Sequence, residues 1–117
     1  MSRLSTRTDR REGIAVVSFE GEMDISEADR IDQELRLVEK DQPPLLVLDL
    51  RDLTFLDSTG LRLVLEADSR AREEGRRMAI IPGPDVVHRI FLIAMLDKRL
   101  EFIDDPATLG MTDASEA

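Results

Sequence analysis

The sequence predicts an α/β fold: one domain built on a mainly parallel central β-sheet. Short apolar runs alternate with stretches of helical periodicity, in the order strand, helix, strand, helix, strand, helix, strand. Alternation of this kind requires crossover connections, which are right-handed and link parallel strands. One run, Leu45-Leu46-Val47-Leu48-Asp49-Leu50, is almost continuously apolar, as a central strand covered on both faces must be. The chain also lacks the regular turn signals, about every 8–12 residues, that mark an all-β domain. With 117 residues it fits one compact domain. Residues 1–106 are expected to form it, with 107–117 a polar, frayed tail carrying at most a short turn around Leu109.

Each element has a local reason. Ile14 to Phe19 reads as a strand closed by Glu20-Gly21, and Arg3 to Thr8 is placed to pair with it as a hairpin. Asp24-Ile25-Ser26-Glu27 carries helix-start chemistry, with Ser26 as cap and Glu27 and Asp29 in the first turn. Ala28, Ile31, Leu35 and Val38 follow at helical spacing and define a buried face. Pro43-Pro44 ends that region, and Leu45–Leu50 is the central strand.

A second helix is expected from Ser58 to about Glu74, with Leu61, Val64, Leu65 and Ala71 inward and Gly75 as its stop. Arg70, Arg72, Arg76 and Arg77 lie in or just past its last turns, where cations complement the helix dipole. Met78–Ile81 is the next strand, and Pro82-Gly83-Pro84 a turn. Asp85 is placed to cap a third helix whose Val86, Val87, Ile90, Phe91 and Ala94 face the core. Leu92 to Leu96 is apolar all round, which reads as a helix end buried under the next strand, or else as a contact patch. Leu100–Ile103 is a short edge strand.

Composition removes several function classes. The net charge of −9 argues against a duplex-binding surface, which needs a basic stripe to displace counterions, and against anionic lipid. Only 3% of residues are aromatic, too few for a base-stacking platform, although 42% are hydrophobic and supply an aliphatic core. There is no cysteine, so disulfide and thiolate chemistry are absent. The first residues lack a signal-peptide core and no apolar run approaches the ~20 residues that span a bilayer, so a soluble cytoplasmic protein is expected.

The segment Leu53-Thr54-Phe55-Leu56-Asp57-Ser58-Thr59-Gly60-Leu61 carries the most information. It joins the central strand to the second helix and puts the Ser58 hydroxyl at a helix start, where negative charge is favoured. Locally, Asp57 and Ser58 read as a capping pair, and a serine in that position can also accept a phosphate. No catalytic set surrounds it. Ser58 lacks the G-x-S-x-G elbow, and the chain's one histidine, His88, lies far along on an amphipathic helix. No phosphate-binding loop is present. Glu22 and Asp24 flank Met23 before a helix; with no third ligand nearby they read as solvated loop charges or an acidic contact patch, not a metal site.

Three blocks together resemble the STAS domain, most closely the bacterial anti-sigma factor antagonists. Phe19-Glu20-Gly21-Glu22-Met23-Asp24 is similar to the family's G-E-L-D turn, and Leu48-Asp49-Leu50 with Leu53 to Leu61 is similar to its strand, loop and D-S-[ST]-G-L motif. Ile81 to Phe91 resembles its next strand and helix. The resemblance implies a mixed sheet with helices largely on one side, and no enzyme activity, cofactor or metal. It implies an anti-sigma factor partner with serine kinase activity, which binds the unphosphorylated protein and gives up its sigma factor. It makes Ser58 the phosphoacceptor, with Thr59 the less favoured hydroxyl, and a serine phosphatase the restoring enzyme. Glu22, Asp24, Asp57, Thr59, Gly60, Leu61 and Arg62 would lie at or near the contact surface; a weak homodimer is a further expectation.

Two positions depart from the family pattern. The motif usually continues Gly-Leu-Gly, whereas this chain has Gly60-Leu61-Arg62, and Ala94-Met95-Leu96 stands where many relatives have a glycine. Two other readings remain: a STAS subunit of a larger assembly such as a stressosome-like scaffold or a transporter complex, and a small hydrolase using Ser58.

Overall fold

The computed structural model describes residues 3–104. Its strands are β1 (Leu4–Arg11), β2 (Ile14–Met23), β3 (Leu45–Leu56), β4 (Arg77–Ile81) and β5 (Glu101–Phe102). Its helices are α1 (Ala28–Glu39), entered through a 3₁₀ turn at Ile25–Glu27, α2 (Ser58–Glu73) and α3 (Asp85–Ile93). The expected tail 107–117 and the turn at Leu109 lie outside the described residues.

The five strands form one sheet in sequence order, with β1 antiparallel to β2 and every other pair parallel. When each parallel strand is added beside the last in the same direction, right-handed crossovers put all the helices on one face. They do so here: Ile31 and Leu35 of α1, Val64 and Ala67 of α2 and Val87 and Phe91 of α3 share one core with Val17, Leu46, Leu48, Leu50 and Ile80 of the sheet. The opposite face carries a smaller apolar cluster of Val16, Leu45, Val47, Ala79 and Ile81. Residues 45–50 are buried on both faces, as their unbroken apolar run requires.

The β1–β2 hairpin turns on Glu12 (φ 47°) and Gly13 (φ 84°), the two positive φ values of a type I′ connection. Both parallel-sheet strands run longer than expected. β2 does not stop at Glu20-Gly21 but continues to Met23, and β3 continues past Leu50 to Leu56. The cause is two register shifts, between Ser18 and Glu20 and between Gly21 and Glu22, where β3 gains residues on β2. These irregularities bend the strand pair without ending it.

Several side chains sit differently from expectation. Asp24, not Ser26, caps the 3₁₀ turn, accepting from the Ser26 N–H at 3.0 Å, and Ser26 Oγ itself donates to Asp24. Asp85 is the first residue of α3 and not its cap, which is Pro84. Leu63 and Ala67 are buried on α2, while Leu61 and Leu65 are half-buried and pack on the edge of the core. Val86 is 66% exposed, and Ala94 lies at the surface as the C-cap of α3. The end of α3 is not buried under β5: Leu92, Ile93 and Met95 are all exposed, and Leu96 alone in that run packs on the core.

The arginines of α2 do more than complement a dipole. Arg70 makes a two-point ion pair with buried Glu39, at 2.6 and 2.9 Å, and ties α2 to the end of α1. Hydrogen bonding to Glu39 raises the Arg70 pKa above the ordinary arginine value despite burial. Arg72 reaches buried Asp68 at 2.7 Å and the Arg99 carbonyl at 2.5 Å, anchoring the segment that follows α3. Arg77 on β4 pairs with Glu101 on β5 through two hydrogen bonds, one of them 2.8 Å.

α2 and α3 both end in Schellman motifs. After α2, Gly75 (φ 70°) donates to Arg72 O and Arg76 to Ala71 O. After α3, Met95 donates to Leu92 O and Leu96 to Phe91 O, with Met95 at φ 59°. A left-handed φ is unfavourable for a side chain with a Cβ. Met95→Gly is therefore expected to stabilise the protein by about 1 kcal/mol, measured as a raised midpoint in urea unfolding.

The Arg77–Glu101 pair predicts an acid response. Hydrogen bonding to Arg77 lowers the Glu101 pKa, outweighing partial burial. A carboxylate lowered on folding stabilises the fold above its unfolded pKa of about 4.3, and that contribution disappears as pH falls through the folded value. Glu101→Gln should be less stable than wild type at pH 7 by no more than about 1 kcal/mol, because the pair is solvent-screened. The difference should vanish in unfolding curves taken at acid pH.

Candidate functional site

The site lies where β2 and β3 end on the same edge of the domain. Gly21 makes it geometrically available. Its φ is 110°, and a Cβ there would lie 2.0 Å from the Arg3 carbonyl oxygen, so only glycine fits. Past Gly21, Glu22 donates its N–H to the same Arg3 oxygen at 3.0 Å, and Thr54 Oγ1 donates to the Gly21 oxygen at 3.1 Å. The chain thus delivers Glu22 opposite Phe55 and Met23 opposite Leu56. The Glu22 carboxylate meets Arg3 in an exposed ion pair at 3.3 Å.

Asp57 holds the centre. It is the N-cap of α2: one carboxylate oxygen accepts the Gly60 N–H at 3.0 Å. Its other oxygen accepts the Ile25 N–H at 3.2 Å, from the loop that carries Asp24. Its backbone N–H donates to the Met23 oxygen at 3.3 Å. One residue therefore joins the start of α2, the end of β2 and the loop into α1.

Ser58 is the first residue of α2, and its side chain is solvent-exposed. The cap is Asp57 alone; Ser58 is left out of the capping bonds and free at the surface. Thr59 is half-buried. Gly60 is buried against Leu56 and Met23, and a Cβ there would sit 2.5 Å from Leu56 Cδ1, so the close packing of this turn requires glycine. Leu61 faces the core edge, and Arg62 is exposed, paired with Glu66 at 2.9 Å. Glu22, Asp24, Asp57 and Ser58 thus come to one end of the sheet, with Gly60 and Leu61 packed beneath them.

Two residues were missed by sequence reasoning. Ile25 is 72% exposed beside Asp57, and Phe55 is 45% exposed beside Glu22. Ile25 read as part of a helix start and Phe55 as part of the connection between strand and helix, neither as contact surface. A cap followed by an isoleucine that no helix face needs was the available signal for Ile25. Phe55 gave none, because its exposure follows from the register shifts.

His88 does not join this surface. It lies on α3, edge-on to Phe102 at 5.0 Å between ring centres. Among the described residues no group of three potential metal ligands occurs. No helix of the described residues is long and apolar enough to cross a membrane.

The model of the STAS domain matches residues 5–109. The chain belongs to the STAS family. It falls among the family's anti-sigma factor antagonists, as a relative of more than 30% identity indicates. An anti-sigma-F factor antagonist, RsfB, from Mycobacterium tuberculosis is 33% identical over 86 residues, covering 74% of this chain and 70% of that one. An anti-sigma F factor antagonist from Paenibacillus polymyxa is 26% identical over 103 residues, covering 87% and 88%. The crystal structure of an anti-sigma factor antagonist from Mycobacterium paratuberculosis superposes with a TM-score of 0.77 at 26% identity, covering 97% of this chain and 92% of that one. The expected STAS fold, with its mixed sheet and one-sided helices, is the fold observed.

The two roles of Asp57 are separable. Asp57→Ala removes both accepted hydrogen bonds and should destabilise this STAS domain by about 1–2 kcal/mol. Asp57→Asn keeps an acceptor for the Gly60 N–H and should lose less than half of that, while removing the charge. Thermal unfolding of the two variants checks the order.

Proposed function

We propose that this protein is a phosphorylation-controlled anti-sigma factor antagonist that acts by binding and not by catalysis. Unphosphorylated, it docks on an anti-sigma factor with serine kinase activity and displaces the sigma factor held there. The partner then transfers the γ-phosphoryl group of its ATP to Ser58 Oγ, the hydroxyl proton leaving to a base of the partner and ADP remaining. A serine phosphatase restores the active form. The reading places the protein in the cytoplasm, where transcription occurs.

One observation carries it: an exposed Ser58 hydroxyl on the first turn of a capped helix, on the same surface as Asp57, Asp24 and Glu22. A phosphate brings about −1.5 to −2 charges at pH 7. The start of α2 tolerates that charge within the domain. At the contact surface it adds to three carboxylates, so a partner whose docking face complements them meets an altered field. Exposed Ile25 and Phe55 would supply the apolar part of the same contact. The binding reading is preferred to a hydrolase because His88, the chain's one imidazole, packs on α3 against Phe102.

Ser58→Ala should bind the anti-sigma partner and take no phosphate, as read by intact mass after incubation with ATP and that partner. Ser58→Asp should keep the wild-type circular dichroism spectrum and bind at least about tenfold more weakly. Equal binding by wild type and Ser58→Asp would sink the proposal.

A further inference from the structure

The place of Arg62 on α2 gives it work in the modified protein. It is four residues beyond Ser58 on α2, which puts the two side chains on one helix face with Cβ atoms about 5–6 Å apart. Both side chains are exposed. In the unmodified protein Arg62 turns the other way, toward Glu66, one turn further on.

We propose that Arg62 is an intramolecular clamp for a phosphate on Ser58, exchanging Glu66 for the phosphoserine when the residue is modified. This rests on Ser58 being the modified hydroxyl.

Three physical differences favour the exchange. The phosphate carries about twice the charge of the Glu66 carboxylate and three acceptor oxygens. Guanidinium matches phosphate in a planar two-point contact. Direction on the helix also counts: an acid N-terminal to a base at this spacing is the better arrangement, and Arg62–Glu66 is the reverse one. Glu66 is not stranded by the exchange. Its charge already acts on Arg70, which lines the same shallow groove between α1 and α2 as Arg62 and Arg36.

The clamp changes what phosphorylation does in this chain. Part of the new charge is neutralised within the domain, so the phosphorylated form is held in a defined geometry. A phosphatase must then compete with Arg62 for the phosphate.

The test installs phosphoserine at position 58 during translation, so it does not depend on any kinase. Phosphorus NMR titration reads the second phosphate pKa, ordinarily about 6. The expected result is a value about half a pH unit lower in the wild-type background than in Arg62→Gln, because a nearby cation favours the dianion. Glu66→Gln, which frees Arg62, should hold the value as low as wild type or lower. A phosphate pKa unchanged by Arg62→Gln, in a variant whose circular dichroism matches wild type, overturns the clamp. Failure of the partner kinase to label Ser58 would instead count against the function proposed above.

Discussion

The Asp57 carboxylate is the interaction on which the functional end of this domain depends. Three backbone segments converge there, and none fixes its neighbours alone. The start of α2 has unpaired N–H groups, the loop after β2 has little regular structure, and β3 reaches that edge only through two register shifts. Asp57 takes an N–H from α2 and one from the loop, and gives its own N–H to β2. The same residue supplies negative charge beside Ser58. Placing the geometric anchor next to Ser58 sets that hydroxyl on a fixed corner and not on a loop free to move away.

A second layer of order comes from paired charges that bridge helices and strands. Glu39 is buried at the end of α1, and Arg70 satisfies both its oxygens from α2. Such a pair contributes little net energy compared with apolar residues in the same volume, but removing one partner strands a buried charge. It therefore specifies how α1 and α2 meet more than it strengthens the contact. Asp68 with Arg72, and Arg77 with Glu101, fix the region after α3 in the same way.

Much of this was legible in the sequence. The alternation of elements, the doubly covered run at 45–50 and the motif around Ser58 required no tertiary information. Order and periodicity are local properties, and so is the chemistry of Asp57-Ser58-Thr59-Gly60. What could not be read depended on pairing between distant segments. The extension of β2 and β3 arises from a register relation that neither strand encodes alone. Val86 looked inward because helical spacing allows several apolar faces, and the sheet decides which one is used. The exposure of Leu92, Ile93 and Met95 has the same origin, because the chain turns away through the left-handed Met95 before β5 can cover them. Local pattern tells which residues can cap; only the folded loop shows that Asp24 serves Ser26.

The strand order has a consequence for how the molecule is assembled. Each strand pairs only with its neighbours in the sequence, so no early segment waits for a late one. Loop-closure entropy stays modest at every step, and folding can advance along the chain one β-α unit at a time. β5, with two residues, is added last and holds least. Local opening should therefore start at that edge, while the doubly covered centre of β3, residues 45–50, exchanges its amide hydrogens among the slowest. The corner around Asp57 is carried by β2 and β3 and does not depend on that edge.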